Sequence, residues 1–256
     1  MNENERKELP IRALSTFAEL ERCVELQLET WGYSSGDVIP RKMFIVANRI
    51  GGQVLGAFDG DTIVGFLMAI PGIRNGVPYL HSHMLAVLPE YRNYGLGRRM
   101  KLAQREDALA RGIRLIEWTF DPLEIRNAHL NITRLGAIVR RYQPDFYGPS
   151  SSPLQGGLPT DRLYAEWWLG SERVQRVLRG ESAKAEMVEQ VNVPVDVYEW
   201  KQNPEQRALA LKVQTRNREA LQSGFARGLA VVGYEVDAER NGTFVLGTAA
   251  DPDLKF

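Results

Sequence analysis

The sequence is poor in cysteine, in excess charge of either sign and in long apolar runs. Its single cysteine, Cys23, excludes an intramolecular disulfide and fits a reducing compartment. Lysine plus arginine and aspartate plus glutamate number 32 each, so no global field attracts nucleic acid or an anionic membrane. No segment approaches the roughly 20 apolar residues of a membrane span, and the charged start MNENERKELP does not read as a signal peptide. These absences predict a cytoplasmic protein whose anion-binding sites are local.

Hydrophobic periodicity predicts an α+β fold. Apolar side chains recur at helical spacing over residues 17–31, which places Cys23 in an amphipathic helix as a buried structural thiol rather than a nucleophile. Over residues 10–170 the predicted order is β-α-α-β-β-β-α-β-α-β-β, a mixed sheet with helices on both faces. Residues 171–256 are predicted to add a linker helix and a β-α-β-β segment. That segment includes a strand at VNVPVDVYEW and a long helix at about 204–227.

Basic residues stand at the start of a predicted helix, at about 97–111, directly after two glycines. Arg98, Arg99 and Lys101 lie at the positive end of the helix dipole, where cations are disfavoured. This placement predicts an anion at that helix end. Two common phosphate motifs do not fit: a Walker A loop needs Lys and Ser or Thr where Arg98 and Arg99 stand, and Met100 takes the third glycine position of Gly-x-Gly-x-x-Gly.

Arg92 to Gly97 read Arg-x-x-Gly-x-Gly between a strand and a helix. This stretch resembles the acyl-CoA loop of the GNAT superfamily of N-acetyltransferases, and the resemblance extends to the element order of residues 10–170. It implies a splayed, mixed sheet flanked by helices, with residues 171–256 as the C-terminal extension of a bacterial subgroup. It also implies that backbone amides donate to the pyrophosphate of CoA while cationic side chains, including Lys101 if it faces the ligand, neutralise it. The implied acyl-CoA residues are Leu85, Ala86, Val87, Arg92, Asn93, Tyr94, Gly95, Leu96, Gly97, Arg98, Arg99 and Asn131. The alternatives are an ordinary turn before a solvated basic helix and, in the last predicted helix, a helix cap at Asn127.

Two histidines, His81 and His83, alternate in the predicted strand from Val77 to Leu88. Residues two apart in a strand share a face, and neutral imidazoles suit general-base work. A similar His-x-His-x-Leu-Ala-Val strand occurs in arylalkylamine N-acetyltransferases, which implies that the pair relays the proton of the acceptor amine without implying an arylalkylamine substrate. A metal-binding pair and a purely structural pair are the alternatives. No Cys, Asp or Glu lies nearby at a metal-ligand spacing.

The leaving thiolate and the acceptor are less well specified. Many GNAT enzymes hold a tyrosine where Ile132 stands here, so Tyr142 or Tyr147 is a candidate acid, with packing as the alternative. Glu117 and Arg162 are weaker candidates for acceptor binding, and a satisfied or solvated charge is the alternative for each. The loop YGPSSSPLQGGLPTDR is predicted to serve as a lid.

The sequence therefore predicts an acyl-CoA-dependent N-acyltransferase that uses no metal. The acyl group is acetyl, with succinyl or another acyl group left open, and the acceptor is a small amine or an amino acid. A homodimer is left open, and neither nucleic acid nor membrane is expected as a partner. The rivals are a catalytically inactive acyl-CoA sensor and an interaction protein that assembles through its C-terminal segment, with Trp167 and Trp168 as interface candidates.

Overall fold

A computed structural model of the chain describes residues 9–34, 36–183 and 186–249. The chain divides within strand β5, between Ile116 and Glu117, into two compact units. Within the described ranges no helix has both the length and the apolar composition needed to cross a membrane.

The first unit contains an antiparallel sheet in the order β1-β2-β3-β4, together with three helices. Its elements are β1 Ile11–Ala13, α1 Phe17–Trp31, α2 Arg41–Arg49, β2 Gln53–Asp59, β3 Thr62–Arg74, β4 Val77–Val87, a 3-10 turn at Pro89–Tyr91 and α3 Leu96–Ala110. Strand β5, Leu115–Phe120, begins in this unit and ends in the second.

Helix α1 shows how local chemistry sets these bounds. Thr16 and Glu19 form a capping box at its N-terminus, and Gly32 ends it in the left-handed conformation. Cys23 lies on its buried face, where desolvation raises the pKa of the thiol to about 12. The predicted burial of Cys23 is confirmed, and its structural role stays a prediction.

The second unit carries the rest of the secondary structure. Its elements are α4 Ile125–Ala128, which continues as a π-helical turn at His129–Arg134, β6 Ile138–Gln143, a 3-10 turn at Pro153–Gln155, β7 Arg162–Trp168, α5 Glu172–Leu178, β8 Met187–Val193, α6 Val197–Gln202, α7 Arg207–Ala226, β9 Ala230–Val236 and β10 Gly242–Gly247. The strand order is β5-β7-β6-β9-β10-β8. The pairs of β6 with β7 and β9, and of β10 with β9 and β8, are antiparallel.

The predicted α+β fold class is confirmed, because a mostly antiparallel sheet is flanked by helices. The strand predicted at VNVPVDVYEW was wrong in its second half: β8 ends at Val193, and Val197 begins α6. Pro194 has no N–H to continue the sheet ladder, and its carbonyl instead accepts a hydrogen bond from Val197. The division into residues 10–170 and 171–256 stays a prediction.

Trp167 and Trp168 are both buried inside the second unit. The indole N–H of Trp167 donates to the carbonyl of Leu135 at 2.7 Å, and Trp168 is only 3% exposed. Neither side chain offers a surface to a partner, so the structure removes the tryptophans as interface candidates.

Lys101 faces the core of the first unit rather than an anion. Its Nζ donates to Gln104 Oε1 at 2.8 Å and to Ser82 Oγ at 3.1 Å, and the residue is 3% exposed. Desolvation lowers the pKa of this amine well below its ordinary value. The structure thus corrects the conditional prediction that Lys101 contributes to anion binding.

We expect the substitution Lys101→Met to change how stability depends on pH. Because folding lowers the pKa of Lys101, the unfolded chain binds the extra proton, and wild-type stability rises as pH rises toward 10.5. The slope from this group is up to about 1.4 kcal/mol per pH unit. Urea unfolding should therefore give the variant a higher free energy of unfolding, relative to the wild type, at pH 7. That difference should shrink or disappear at pH 9.5. The exposed Lys42, changed to Met, is the control, and a Lys101→Met variant that runs parallel to wild type at both pH values contradicts the expectation.

Candidate functional site

Strand β4 has one buried face and one half-exposed face. Its even-numbered side chains from Leu80 to Ala86 are buried, whereas His81, His83, Leu85 and Val87 are half-buried on the other face. The two imidazole rings lie with their centroids 6.2 Å apart. The predicted shared face is present, so both histidines point to the same side of the strand.

A β-bulge lies at His83. Met84 pairs with Met68 and Ser82 pairs with Ala69, which leaves His83 as the extra residue of β4. Bulges re-aim side chains and are common beside active sites. Burial lowers the pKa of His83, which favours the neutral imidazole that a general base requires. No group of three or more His, Cys, Asp or Glu side chains is arranged to hold a metal in the part of the chain that the structure describes.

The chain between β4 and α3 is fixed by side-chain contacts and by special backbone angles. The hydroxyl of Tyr91 donates to Asp59 at 2.6 Å, and Nε of Arg92 donates to the carbonyl of Val87 at 2.9 Å. Asn93 and Gly95 have φ of 67° and 74°, in the left-handed region that asparagine and glycine tolerate best. These contacts place the Arg-x-x-Gly-x-Gly stretch directly after β4.

Helix α3 begins without a capping side chain. Gly95 is its N-cap and makes no side-chain capping hydrogen bond, and the described first turn holds no acidic residue. A Cβ at Gly97 would touch only Leu85, at 3.8 Å. The first amides of α3 are therefore arranged to donate to an anion.

The predicted cationic residues differ in their surroundings. Arg98 and Arg99 lie in the first turn of α3 and are half-buried. Nη2 of Arg99 donates to the carbonyl of Leu9 at 2.6 Å, and its buried Nη1 has no hydrogen-bond partner among the described residues. Arg92 is exposed. Their roles toward a pyrophosphate stay predictions, as do those of Tyr94, Leu96 and the amides of Leu85, Ala86 and Val87.

Asn131 lies in the π-helical turn of the second unit and is 2% exposed. Its amide Nδ2 has no hydrogen-bond partner within the described residues. A buried donor without a partner is costly, and π-helical turns occur frequently at functional sites. Asn127 lies inside α4, whose N-cap is Glu124, so a capping role for Asn127 is wrong.

Glu117 is buried and forms an ion pair with Arg141, whose guanidinium lies 4.1 Å from the ring centre of Tyr164. This pairing fits the structural alternative for Glu117. Arg162 is half-buried, and its guanidinium carbon lies 5.2 Å from the ring centre of Tyr147. Acceptor binding by either residue stays a prediction.

Tyr142 does not suit the role of a catalytic acid. Its hydroxyl donates to the buried Asp161, and burial together with that carboxylate raises the pKa of the phenol above its ordinary value. Tyr147 is half-exposed, with its hydroxyl 3.1 Å from Oγ1 of Thr119. Sequence reasoning missed Asp161, because nothing in LPTDR indicates that its carboxylate is fully buried.

The model of the acetyltransferase (GNAT) family matches residues 20–131. Residues 20–131 are therefore a region of the acetyltransferase (GNAT) family. The matched span contains the histidine strand, the glycine stretch and α3, and it ends at Asn131.

Solved structures of proteins with low sequence identity share the fold. A candidate GNAT acetyltransferase from Desulfovibrio desulfuricans is 13% identical with a TM-score of 0.52, over 63% of this chain and 99% of that one. The yncA protein of Salmonella typhimurium, a candidate acetyltransferase solved with its cofactor acetyl-CoA, is 16% identical with a TM-score of 0.51, over 63% of this chain and 94% of that one. No curated protein shows significant sequence similarity to the chain.

The substitution Gly97→Ala separates anion binding from stability. Gly97 has an ordinary helical backbone and open space for a Cβ, so stability should stay the same or rise by up to about 1 kcal/mol. A methyl group there would meet a diphosphate held by the first-turn amides, so we expect affinity for acetyl-CoA to fall about tenfold or more. Chemical unfolding and calorimetric titration measure the two quantities.

Gly95→Ala is the control, because Gly95 has a left-handed backbone angle and Gly97 does not. With φ at 74°, alanine should cost about 1–2 kcal/mol of stability. Wild-type affinity for acetyl-CoA in Gly97→Ala would count against an anion site at the start of α3.

Proposed function

We propose that the protein is an acyl-CoA-dependent N-acyltransferase that moves an acetyl group to the amine of a small molecule or an amino acid. The observation that carries the proposal is the uncapped start of α3, joined to β4 by the Arg-x-x-Gly-x-Gly stretch in a region of the acetyltransferase (GNAT) family. A succinyl or other acyl donor is the second candidate. We further propose a cytoplasmic location, with residues 10–170 as the acyltransferase domain and 171–256 as an extension.

The proposed reaction is direct transfer. An acceptor amine must lose a proton to attack the thioester carbonyl, and a neutral imidazole of His81 or His83 accepts that proton. Amides at Leu85 to Val87 polarise the carbonyl, and the thiolate of CoA leaves. The half-exposed face of β4, which carries both histidines, supports this assignment.

Binding of the diphosphate is assigned to the start of α3 and to the arginines beside it. The amides of Gly95, Leu96 and Gly97 would donate to the phosphate oxygens, while Arg92, Arg98 and Arg99 supply positive charge. Asn131 would donate its amide hydrogens to the pantetheine arm. The buried and unpartnered Nδ2 of Asn131 supports that role.

Thermal unfolding with acetyl-CoA, succinyl-CoA and free CoA at matched concentration tests donor binding. A ligand at about 100 times its dissociation constant should stabilise the protein by roughly 2.7 kcal/mol. We expect a rise in Tm with each of the three and the largest rise with the true donor. Absence of any shift at millimolar ligand would remove the main support for the proposed function.

The double substitution of His81 and His83 by Ala tests the base. We expect kcat to fall roughly 10²- to 10⁴-fold while affinity for acetyl-CoA is unchanged. In the wild type, activity should persist as pH falls through 6.5 and be lost only when the lowered pKa of His83 is reached, because protonation removes the base. Tyr79→Phe, on the same face of β4, is the matched control, and undiminished turnover in the double variant rules out the assignment.

A catalytically inactive acyl-CoA sensor is the second candidate function. The observation that favours it is Ile132, a buried residue at the position where many GNAT enzymes hold a tyrosine. Acyl-CoA binding without amine-stimulated release of CoA selects the sensor, and release of CoA in step with amine consumption selects the enzyme.

A further inference from the structure

Arg162, at the start of β7, contacts no carboxylate within ion-pair distance among the described residues. Its Nη1 donates to the carbonyl of Asp161 at 2.8 Å, and its Nη2 lies 3.4 Å from Oε1 of Gln155. Asp121, whose pKa Arg162 helps to lower, pairs with Lys201 at 2.9 Å. A guanidinium carries more N–H donors than these two contacts use.

Four other arginines that lie over aromatic rings each have an acidic partner. The pairs are Arg12 with Glu19, Arg41 with Glu21, Arg140 with Glu166 and Arg141 with Glu117. Arg162 shares their stacking but not their acidic partner. Of these five arginines, Arg162 is the one without an acidic partner among the described residues, which leaves its positive charge available to an outside anion.

The surroundings of Arg162 form an aromatic surface. Tyr147 lies under the guanidinium and packs edge-on against Phe146, with their ring centres 4.5 Å apart. The ring centres of Phe146 and Tyr164 lie 5.8 Å apart. Phe146 and Tyr147 are exposed. An exposed aromatic group beside an unneutralised guanidinium suits a ligand that has a carboxylate and an apolar or planar body.

The position of Arg162 is fixed from beneath by Asp161. The fully buried carboxylate of Asp161 accepts two hydrogen bonds from Arg218 of α7, at 2.8 and 2.9 Å, and further bonds from the hydroxyl of Tyr142 and the amide of Asp145. Thr160, also fully buried, bonds to the amide of Tyr147 at 2.9 Å. One buried segment thus holds both Arg162 and the ring on which it stacks.

We propose that Arg162 and Tyr147 form a carboxylate-binding site that recognises the acid group of the acceptor. The substrate class is then an amino acid, or another amino-carboxylate, with an apolar or aromatic side chain. This inference rests on the proposed function for the identity of the ligand as acceptor. The planar guanidinium pairs with the carboxylate through two parallel hydrogen bonds. The rings of Tyr147 and Phe146 contact the body of the acceptor.

The test uses two probes of the same shape, 3-phenylpropionate and 3-phenylpropionamide, titrated against the full chain by NMR or calorimetry. We expect the carboxylate to bind about tenfold or more tightly than the amide, the usual advantage of a hydrogen bond to a charged group. Arg162→Gln should remove that preference. Tyr147→Leu should weaken both probes, because it removes the ring while leaving the guanidinium in place.

Arg41→Gln is the matched control, since Arg41 also lies over a ring but pairs with Glu21. The control should bind both probes as the wild type does, and every variant should keep wild-type affinity for acetyl-CoA. Equal affinity of the wild type for both probes, no binding of the carboxylate, or a preference that survives Arg162→Gln overturns the proposal.

Turnover separates the two proposals. With acetyl-CoA as donor, phenylalanine should be a better acceptor than phenethylamine, and Arg162→Gln should raise KM for phenylalanine about tenfold or more with little change in kcat. Carboxylate binding without acetyl-CoA binding contradicts the proposed function and leaves the site standing. Acetyl transfer with no preference between phenylalanine and phenethylamine supports the proposed function and contradicts the carboxylate-binding site.

Discussion

The N-cap of α3 is a glycine, which has no side chain to accept from the first N–H groups of the helix, and the chemistry assigned to the first unit depends on α3 beginning in this way. The left-handed angles at Asn93 and Gly95 turn the chain sharply out of β4. No serine, threonine or aspartate then competes for the amides of the first turn. Arg98 and Arg99, which are disfavoured beside a bare helix dipole, would be well placed beside a dipole that holds an anion.

The two faces of strand β4 have different roles: one packs in the core, and the other carries the candidate catalytic side chains. The buried face carries Ser82 against Lys101, a polar contact that ties the strand to α3 inside the core. The half-exposed face carries His81 and His83, and the bulge at His83 changes the local twist where the two rings stand.

Local patterns in the sequence were sufficient to predict most of the fold and to suggest the candidate site. Helix α1, the hairpin of β2 and β3 and the glycine stretch were predictable because their signals are periodicity and turn chemistry, which act over a few residues. The burial of Lys101 was not predictable from the sequence, because helical spacing does not show which face of α3 packs against the sheet. The contact of Asp161 with Arg218 was also hidden, since it joins residues far apart in the chain. Pro194 was available as a signal and was overlooked.

The order of strands in the second unit differs from their order in the chain. Val139 of β6 pairs with Val231 of β9, about 90 positions later, while β8, which is made earlier than β9, lies at the far edge beyond β10. During synthesis one edge of β6 therefore stays open until β9, about 90 residues later, has emerged from the ribosome. Open strand edges template pairing with other chains, and long-range pairing is slow to form. Strand β9 thus covers this edge late in synthesis, and until it forms the edge of β6 is open to pairing with other chains.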